Sequence, residues 1–316
     1  MLFTQNMKMA DIKSFQEQLS KNIDTKTQLI EFCQNLKIEI DIPGVDIKGL
    51  NICFAENTVK LGQKQSVEDK FQQQYSGHVV AHNANTKVAR GIMERMAKTD
   101  DAVLIYGENG TGKGLFARTI HQQSLRGGQP FVSISCGAID KENAKQQIED
   151  SLVDVVNGTL LLDGVQDLDI ETQRILKKMI RIPTRQKNFR LISTTSGNLD
   201  CLVRKGAFSA ELLALLQDCY IELLPLQQRK EDIEALVTFY MEKICKGCGM
   251  EPKTLSPELL NILESYPWPG NVLELVNTIE QLMITAQEKQ TLFAKDLPTH
   301  IRIQTINSSA AQKKGL

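Results

Sequence analysis

Aromatic side chains are scarce in this chain, at 5% with a single Trp. That scarcity argues against a surface built on stacking sugars or bases. An excess of one charge is also missing: 37 Lys and Arg face 38 Asp and Glu, a net charge of −1. A chain so near neutrality is not a bulk-electrostatic nucleic-acid binder, although a local basic patch stays open. No stretch reaches the ~18 uninterrupted apolar residues of a membrane span. The opening MLFTQNMKMADIKSF holds no apolar run that would serve as a signal peptide. The seven cysteines, Cys33, Cys53, Cys136, Cys201, Cys219, Cys245 and Cys248, lack the regular spacing of a secreted disulfide framework. Reduced thiols, a cytoplasmic location and no membrane association are the expectation.

What remains is an ordinary globular balance, 41% hydrophobic and 24% charged, which excludes a mostly disordered chain. At ~150 residues per domain, 316 residues suggest about two domains. Residues 10–36 carry apolar positions at helical spacing: Ile12, Phe15, Leu19 and Ile23, then Leu29, Phe32, Cys33 and Leu36. The period then changes to two. Ile38, Ile40 and Ile42 alternate with charged residues, Pro43-Gly44 turns the chain, and Leu50, Ile52 and Phe54 alternate again. This predicts a small α+β unit over residues 1–58, marginal as an independent fold at roughly 55–60 residues. Residues 59–76 are Gln-rich and polar, and read as a linker or a solvated helix.

From Val79 to about Leu226, aliphatic and β-branched runs alternate with helical segments. The strands are predicted at Val103–Tyr106, Phe131–Ser135, Thr159–Leu162, Leu191–Thr195 and Tyr220–Leu224. That alternation is the mark of a parallel sheet with helices on both faces. After Pro225 the strands are expected to stop. Helices follow at Glu231–Lys246, Pro257–Ser265 and Asn271–Ala286, with Ser256 before Pro257 as a cap and first-turn pair. The fold class is therefore α/β with a closing helical module.

One segment carries chemistry. The strand Leu104-Ile105-Tyr106 runs into Gly107-Glu108-Asn109-Gly110-Thr111-Gly112-Lys113-Gly114 and then into a helical pattern from Leu115. The G-x-x-x-x-G-K spacing is complete to Lys113, and only the following Ser or Thr is replaced, by Gly114. Glycines let successive N–H groups point at one centre, and the helix N-terminus adds a field that favours anions. The spacing thus predicts a phosphate cradle at residues 107–115, with Lys113 reaching the β- and γ-phosphates. The plain alternative is a glycine-rich turn with no ligand. Further on, Gly158-Thr159-Leu160-Leu161-Leu162-Asp163 is an apolar strand ending in a carboxylate that could hold Mg²⁺, directly or through water. The alternative there is a helix cap for residues 167–180. Cys245-x-x-Cys248 is a single pair without a second, weak evidence for zinc. His121 falls on the helix after the loop, which favours packing over catalysis.

These segments, from about Gly77 to Arg302, resemble the AAA+ ATPase domain of the bacterial sigma-54 activators, the enhancer-binding proteins. The resemblance is carried by GENGTGKGLFARTIHQQS, PFVSISCGAI, NGTLLLDGVQDLDIETQRIL, KGAFSAELLALL, PLQQRKEDI and, most specifically, YPWPGNVLELVNTIE. It implies a P-loop αβα subdomain over 77–228, a helical lid over 229–302 and a polar tail over 303–316. It also implies ATP or ADP with Mg²⁺ as ligands, at Gly107, Glu108, Asn109, Gly110, Thr111, Gly112, Lys113, Gly114, Leu115 and Asp163.

The departures from the family pattern are as informative. The Glu that polarises the attacking water corresponds to Gly164; the arginine fingers correspond to Ser209 and Leu215; the sensor II Arg corresponds to Leu273 and the sensor I Asn to Ser196. The sigma-54-contacting GAFTGA loop has no counterpart in the short interval Asp140–Val156. An arginine finger alone contributes ~10³–10⁵ in rate, so ATP turnover is expected to be weak or absent and no catalytic residue is assigned. After Asp296-Leu297-Pro298, Thr299–Leu316 is too short for a helix-turn-helix, so no direct DNA binding is expected. The resemblance thus implies a catalytically degenerate AAA+ regulator of transcription. Its candidate partners are a related activator, the sigma-54 RNA polymerase or a second copy of itself. The alternatives are an active ATPase whose groups come from Asp167, Glu211, Arg204, Arg229, Lys230 or another subunit, and a scaffold with a vestigial nucleotide site.

Overall fold

The structure, a computed structural model, describes residues 50–55, 58–63, 79–181, 189–286 and 288–303. The chain divides into two compact units, residues 1–70 and 71–316. In the first, β1 (Leu50–Ala55) pairs antiparallel with β2 (Thr58–Gln63), Ala55 opposite Thr58 and Leu50 opposite Gln63. The Leu50, Ile52, Phe54 alternation forms the predicted strand. The second strand corrects the reading of a polar linker or solvated helix from residue 59. Val59 and Leu61 alternate with Thr58 and Lys60, and a two-residue connection lets a strand complete its hydrogen bonds against its neighbour. The expected helices over 10–36, the strand over 37–42 and the tail beyond residue 303 lie outside the described residues.

The second unit is built on β3 (Val103–Gly107), β4 (Phe131–Ser135), β5 (Thr159–Asp163), β6 (Arg190–Thr195) and β7 (Cys219–Leu223). All pairings are parallel, in the order β4-β5-β6-β3-β7. Such a sheet must bury both faces, which is why its central strands read as near-continuous apolar runs. On one face, Val103, Ile105, Leu161, Ile192 and Ile221 pack against α1 (Ala84–Met96) and α2 (Lys113–Gln122). On the other, Leu104, Ile134, Leu160, Leu162 and Leu191 pack against α3 (Ala144–Asp154), α4 (Ile170–Arg181), α5 (Leu199–Arg204) and α6 (Ala210–Leu216).

The closing module is α7 (Ile233–Cys248), α8 (Pro257–Ser265) and α9 (Asn271–Thr285) around its own core. Ser256 caps α8 by accepting from the Leu259 N–H at 3.2 Å. Strands do not stop at residue 225, however. Thr254–Leu255 pairs in parallel with Thr291–Leu292, tying the start of α8 to the chain after α9. Leu115, from the first turn of α2, belongs to this helical core, so the module rests directly on the end of the glycine-rich loop.

Candidate functional site

β3 delivers Gly107 to the C-terminal edge of the sheet, where parallel sheets place their ligand sites. The chain turns through exposed Glu108 and Asn109 into buried Gly110 and Thr111, and Gly112 opens α2. Gly110 holds φ +77° and Gly112 φ +105°, a region that an L side chain enters at a cost. At Gly110 space is also closed, because a Cβ there would lie 2.2 Å from the Gly270 carbonyl oxygen. Lys113, Gly114 and Leu115 form the first turn of α2, where backbone N–H groups point along the helix axis toward the loop. The loop therefore ends on a set of aligned donors with the positive end of the helix dipole behind them. Lys113 is buried, and its Nζ donates to the carbonyls of Gly107 at 2.8 Å and Glu108 at 2.9 Å. Thr111 Oγ1 also donates to the Glu108 carbonyl, at 2.8 Å.

The helical module holds this loop by its backbone. Asn271 Nδ2 donates to the Asn109 carbonyl at 2.9 Å and to Glu108 Oε2 at 3.2 Å, while its Oδ1 accepts from the Leu226 N–H at 2.7 Å. The Leu273 N–H donates to the Gly110 carbonyl at 3.2 Å. Arg229, 4% exposed, donates from Nη2 to the Thr111 carbonyl at 2.9 Å. Its Nη1 lies 3.8 Å from Asp232 Oδ2. Asp232 is fully buried and accepts from the N–H groups of His82 (2.5 Å) and Asn83 (2.7 Å) and from Thr86 Oγ1 (2.6 Å). The segment leading into α1, the glycine-rich loop and the lid thus share one buried polar network. The YPWPGN block supplies its geometry. Trp268, 1% exposed, donates from Nε1 to the Leu263 carbonyl at 2.7 Å, and Gly270 N–H is fixed to Glu274 Oε2 at 2.8 Å.

Asp163 ends β5, separated from β3 by β6. Its Oδ1 accepts from Thr194 Oγ1, which in turn accepts from the Gly164 N–H at 3.0 Å. It caps no helix: Asp169 Oδ1 accepts from the N–H groups of Glu171 and Thr172, both at 3.0 Å, and opens α4. The hydrogen bonds from Thr172 hold the Asp169 carboxyl below the usual range. Burial, with Asp163 and Asp167 nearby, pushes the Cys136 thiol up, so that cysteine stays protonated. For a divalent cation, Asp163 offers one carboxylate and Gly114 offers no hydroxyl. Among the described residues no three potential side-chain ligands gather. A Mg²⁺ ion fits here only with phosphate oxygens and water completing its shell.

The positions that carry catalytic groups in the resembled family have other employment. Gly164 sits at φ +75°, and a Cβ there would lie 3.0 Å from Asp167 Oδ2. The Ser196 N–H donates to Gln166 Oε1 at 3.2 Å, and Gln166 Nε2 donates to Asp167 Oδ2 at 3.0 Å. Ser209 caps α6, Leu215 lies within that helix, and Leu273 packs beside Gly110. Of the cationic candidates, Arg229 is buried in the lid network, while Arg204 and Lys230 are exposed. Glu211 is ion-paired with Lys177 at 2.9 Å. Between β4 and β5 the chain makes one short turn and the helix α3, with no inserted loop. His121 is buried against the Phe131 ring, with Nδ1 at 2.9 Å from Thr159 Oγ1, so it packs. Cys245 and Cys248 lie on α7, one buried and one exposed.

A family model described as the Sigma-54 interaction domain matches residues 79–222, and one described as the AAA+ ATPase lid domain matches 227–314. Among curated proteins, the nitrogen assimilation regulatory protein NtrX of Azorhizobium caulinodans is 32% identical over 229 residues, 66% of this chain and 50% of that protein. A Geobacillus stearothermophilus protein named limonene hydroxylase is 34% identical over 253 residues, 72% of this chain and 47% of that protein. The chain therefore spans about half the length of these relatives. The crystal structure of Brucella abortus NtrX in complex with ADP superposes with a TM-score of 0.65 at 30% identity, covering 74% of this chain and 59% of that one. The same protein in complex with ATP gives 0.64 at 29%, covering 78% and 62%. No helix among the described residues is long and apolar enough to cross a membrane. The sheet order, the seated glycine-rich loop, the helical lid and these matches agree: the chain belongs to the AAA+ family of sigma-54 interaction domains, with that family's lid following in sequence.

Proposed function

We propose that this protein is a nucleotide-binding, catalytically degenerate AAA+ regulator that works through protein contacts and hydrolyses little ATP. The observation that carries the reading is a contrast at one sheet edge. The loop is complete through Lys113 and firmly seated, while residue 164 has no side chain and a backbone conformation that suits glycine. The solved ADP and ATP complexes of Brucella abortus NtrX support a nucleotide ligand. In this reading the N–H groups of residues 110–115 bind the phosphates, and Lys113 exchanges its loop carbonyls for the β- and γ-phosphates. Asp163 would hold Mg²⁺, directly or through water, and that ion would supply neutralising charge to the phosphates. Residues 77–228 form the nucleotide-binding subdomain, and residues 229–302 report the bound state through Asn271, Leu273 and Arg229. The partner is a related activator or a second copy, with the sigma-54 polymerase as a third candidate, in the cytoplasm.

The test has two readouts. A ligand at 100 times its Kd adds ~2.7 kcal/mol of stability, so ATP–Mg²⁺ is expected to raise the unfolding temperature, and Lys113→Ala to abolish the rise. Phosphate release is expected to stay at the level of that variant. Turnover like that of an active AAA+ enzyme, lost in Lys113→Ala, overturns the degenerate reading; no thermal shift at millimolar nucleotide turns the protein into a scaffold. One observation favours a second reading. The Asp167 carboxylate lies at the root of the side chain that Gly164 lacks, so an active enzyme would use Asp167 as its water-orienting group and would lose turnover in Asp167→Asn while keeping the thermal shift.

A further inference from the structure

A cavity of about 500 Å³ opens at the exposed edge of the sheet, over β6, β3 and β7. It lies on the face opposite α1 and α2, and no residue of the glycine-rich loop lines it. Parallel register builds its wall: Leu104 stands opposite Tyr220 and Tyr106 opposite Glu222, so alternation puts all four side chains on one face. The Tyr106 and Tyr220 rings stack, with centroids 6.1 Å apart and planes 20° from parallel. Asp200, from the first turn of α5, completes the rim. Among the described residues, the lining holds two carboxylates, two phenols and no Lys, Arg or His. Burial pushes the Tyr220 phenol up to about 12, with Glu222 adding to the effect, so that ring stays neutral and the cavity's charge is that of Asp200 and Glu222. On β6, Ser193 stands beside Leu104 in register, fully buried, and among the described residues its Oγ has no hydrogen-bond partner.

A half-exposed aromatic wall with only negative charge around it suits one class of ligand. A planar or alkylated cation gains from the ring faces and from the carboxylates together, whereas an anion would meet both carboxylates and no cation. We propose that this cavity binds a guanidinium or alkylammonium group, presented either by a small organic cation or by an Arg or Lys side chain of a second copy of the chain.

Calorimetric titration of the full chain with n-butylguanidinium, and with the uncharged isostere n-butylurea, tests this. Saturable binding of the cation is expected, with the urea at least about tenfold weaker. Asp200, Tyr220 and Glu222 are all exposed, so their variants should fold normally. Glu222→Gln and Asp200→Asn should each weaken binding by about tenfold. Tyr220→Phe should retain binding and Tyr220→Leu should lose it. Sedimentation velocity separates the two sources. If a second copy supplies the cation, the protein self-associates, and both n-butylguanidinium and Glu222→Gln disperse it. If a small molecule does, n-butylguanidinium binds without changing the sedimentation coefficient. Absence of saturable binding, equal binding of the urea, or binding indifferent to both carboxylate variants overturns the proposal.

Discussion

The seam between the glycine-rich loop and the lid differs sharply from the sheet edge around Gly164. At the seam, the backbone carbonyls of Asn109, Gly110 and Thr111 each receive a donor from the helical module, and a buried ion pair anchors one of the donors, Arg229. Around Gly164, the positions that bear catalytic groups in the wider family are a glycine, a serine that bonds a neighbouring Gln and a serine that caps a helix. The seam is held by many mutually dependent bonds, whereas the residues around Gly164 make a few independent ones.

The sharpest way to break this comparison is at Asp232. Removing one partner of a buried charge pair costs about 3–5 kcal/mol, and Asp232→Ala would also strand two N–H groups and a hydroxyl. A loss of that size is expected in the urea midpoint; a near-neutral result would mean that the seam is not the fixed region described. Next comes Gly110→Ala, where positive φ and contact with the Gly270 carbonyl act together. About 3 kcal/mol of destabilisation is expected by the same measurement. Smallest is Gly164→Ala. Its φ is as unfavourable, but the nearest atom is the end of the Asp167 side chain, which can move. A cost of about 1–2 kcal/mol is expected. A cost at Gly164 equal to that at Gly110 would erase the distinction between the two regions.

How much was legible beforehand follows the range of each interaction. The five sheet strands were readable to within about a residue at either end, because aliphatic runs between turns are local signals. The glycine-rich loop and the lid helices were readable for the same reason, and the resemblance placed YPWPGN. Three things were not. The β2 strand hid in polar residues, since its partner, not its composition, makes it a strand. The short Thr254–Leu255 pairing joins residues 37 apart through Thr254 and Thr291. Above all, Asn271, Arg229 and Asp232 reach the loop and α1 across more than a hundred residues of sequence. Their only local trace was an Arg and an Asp three apart in PLQQRKEDI, which reads equally well as a surface pair. Asp163 could be told from a cap only when Asp169 was seen in that role.

Leu115 has a consequence for anyone who would dissect this protein. It is the third residue of α2, yet its neighbours are Leu226, Ile233 and the rest of the helical core. A recombinant fragment cut after the sheet would leave that leucine facing water and three backbone oxygens of the loop without their donors. The cradle is therefore not a property of the αβα layer alone, and the smallest piece that can be asked about nucleotide runs through the end of the third lid helix.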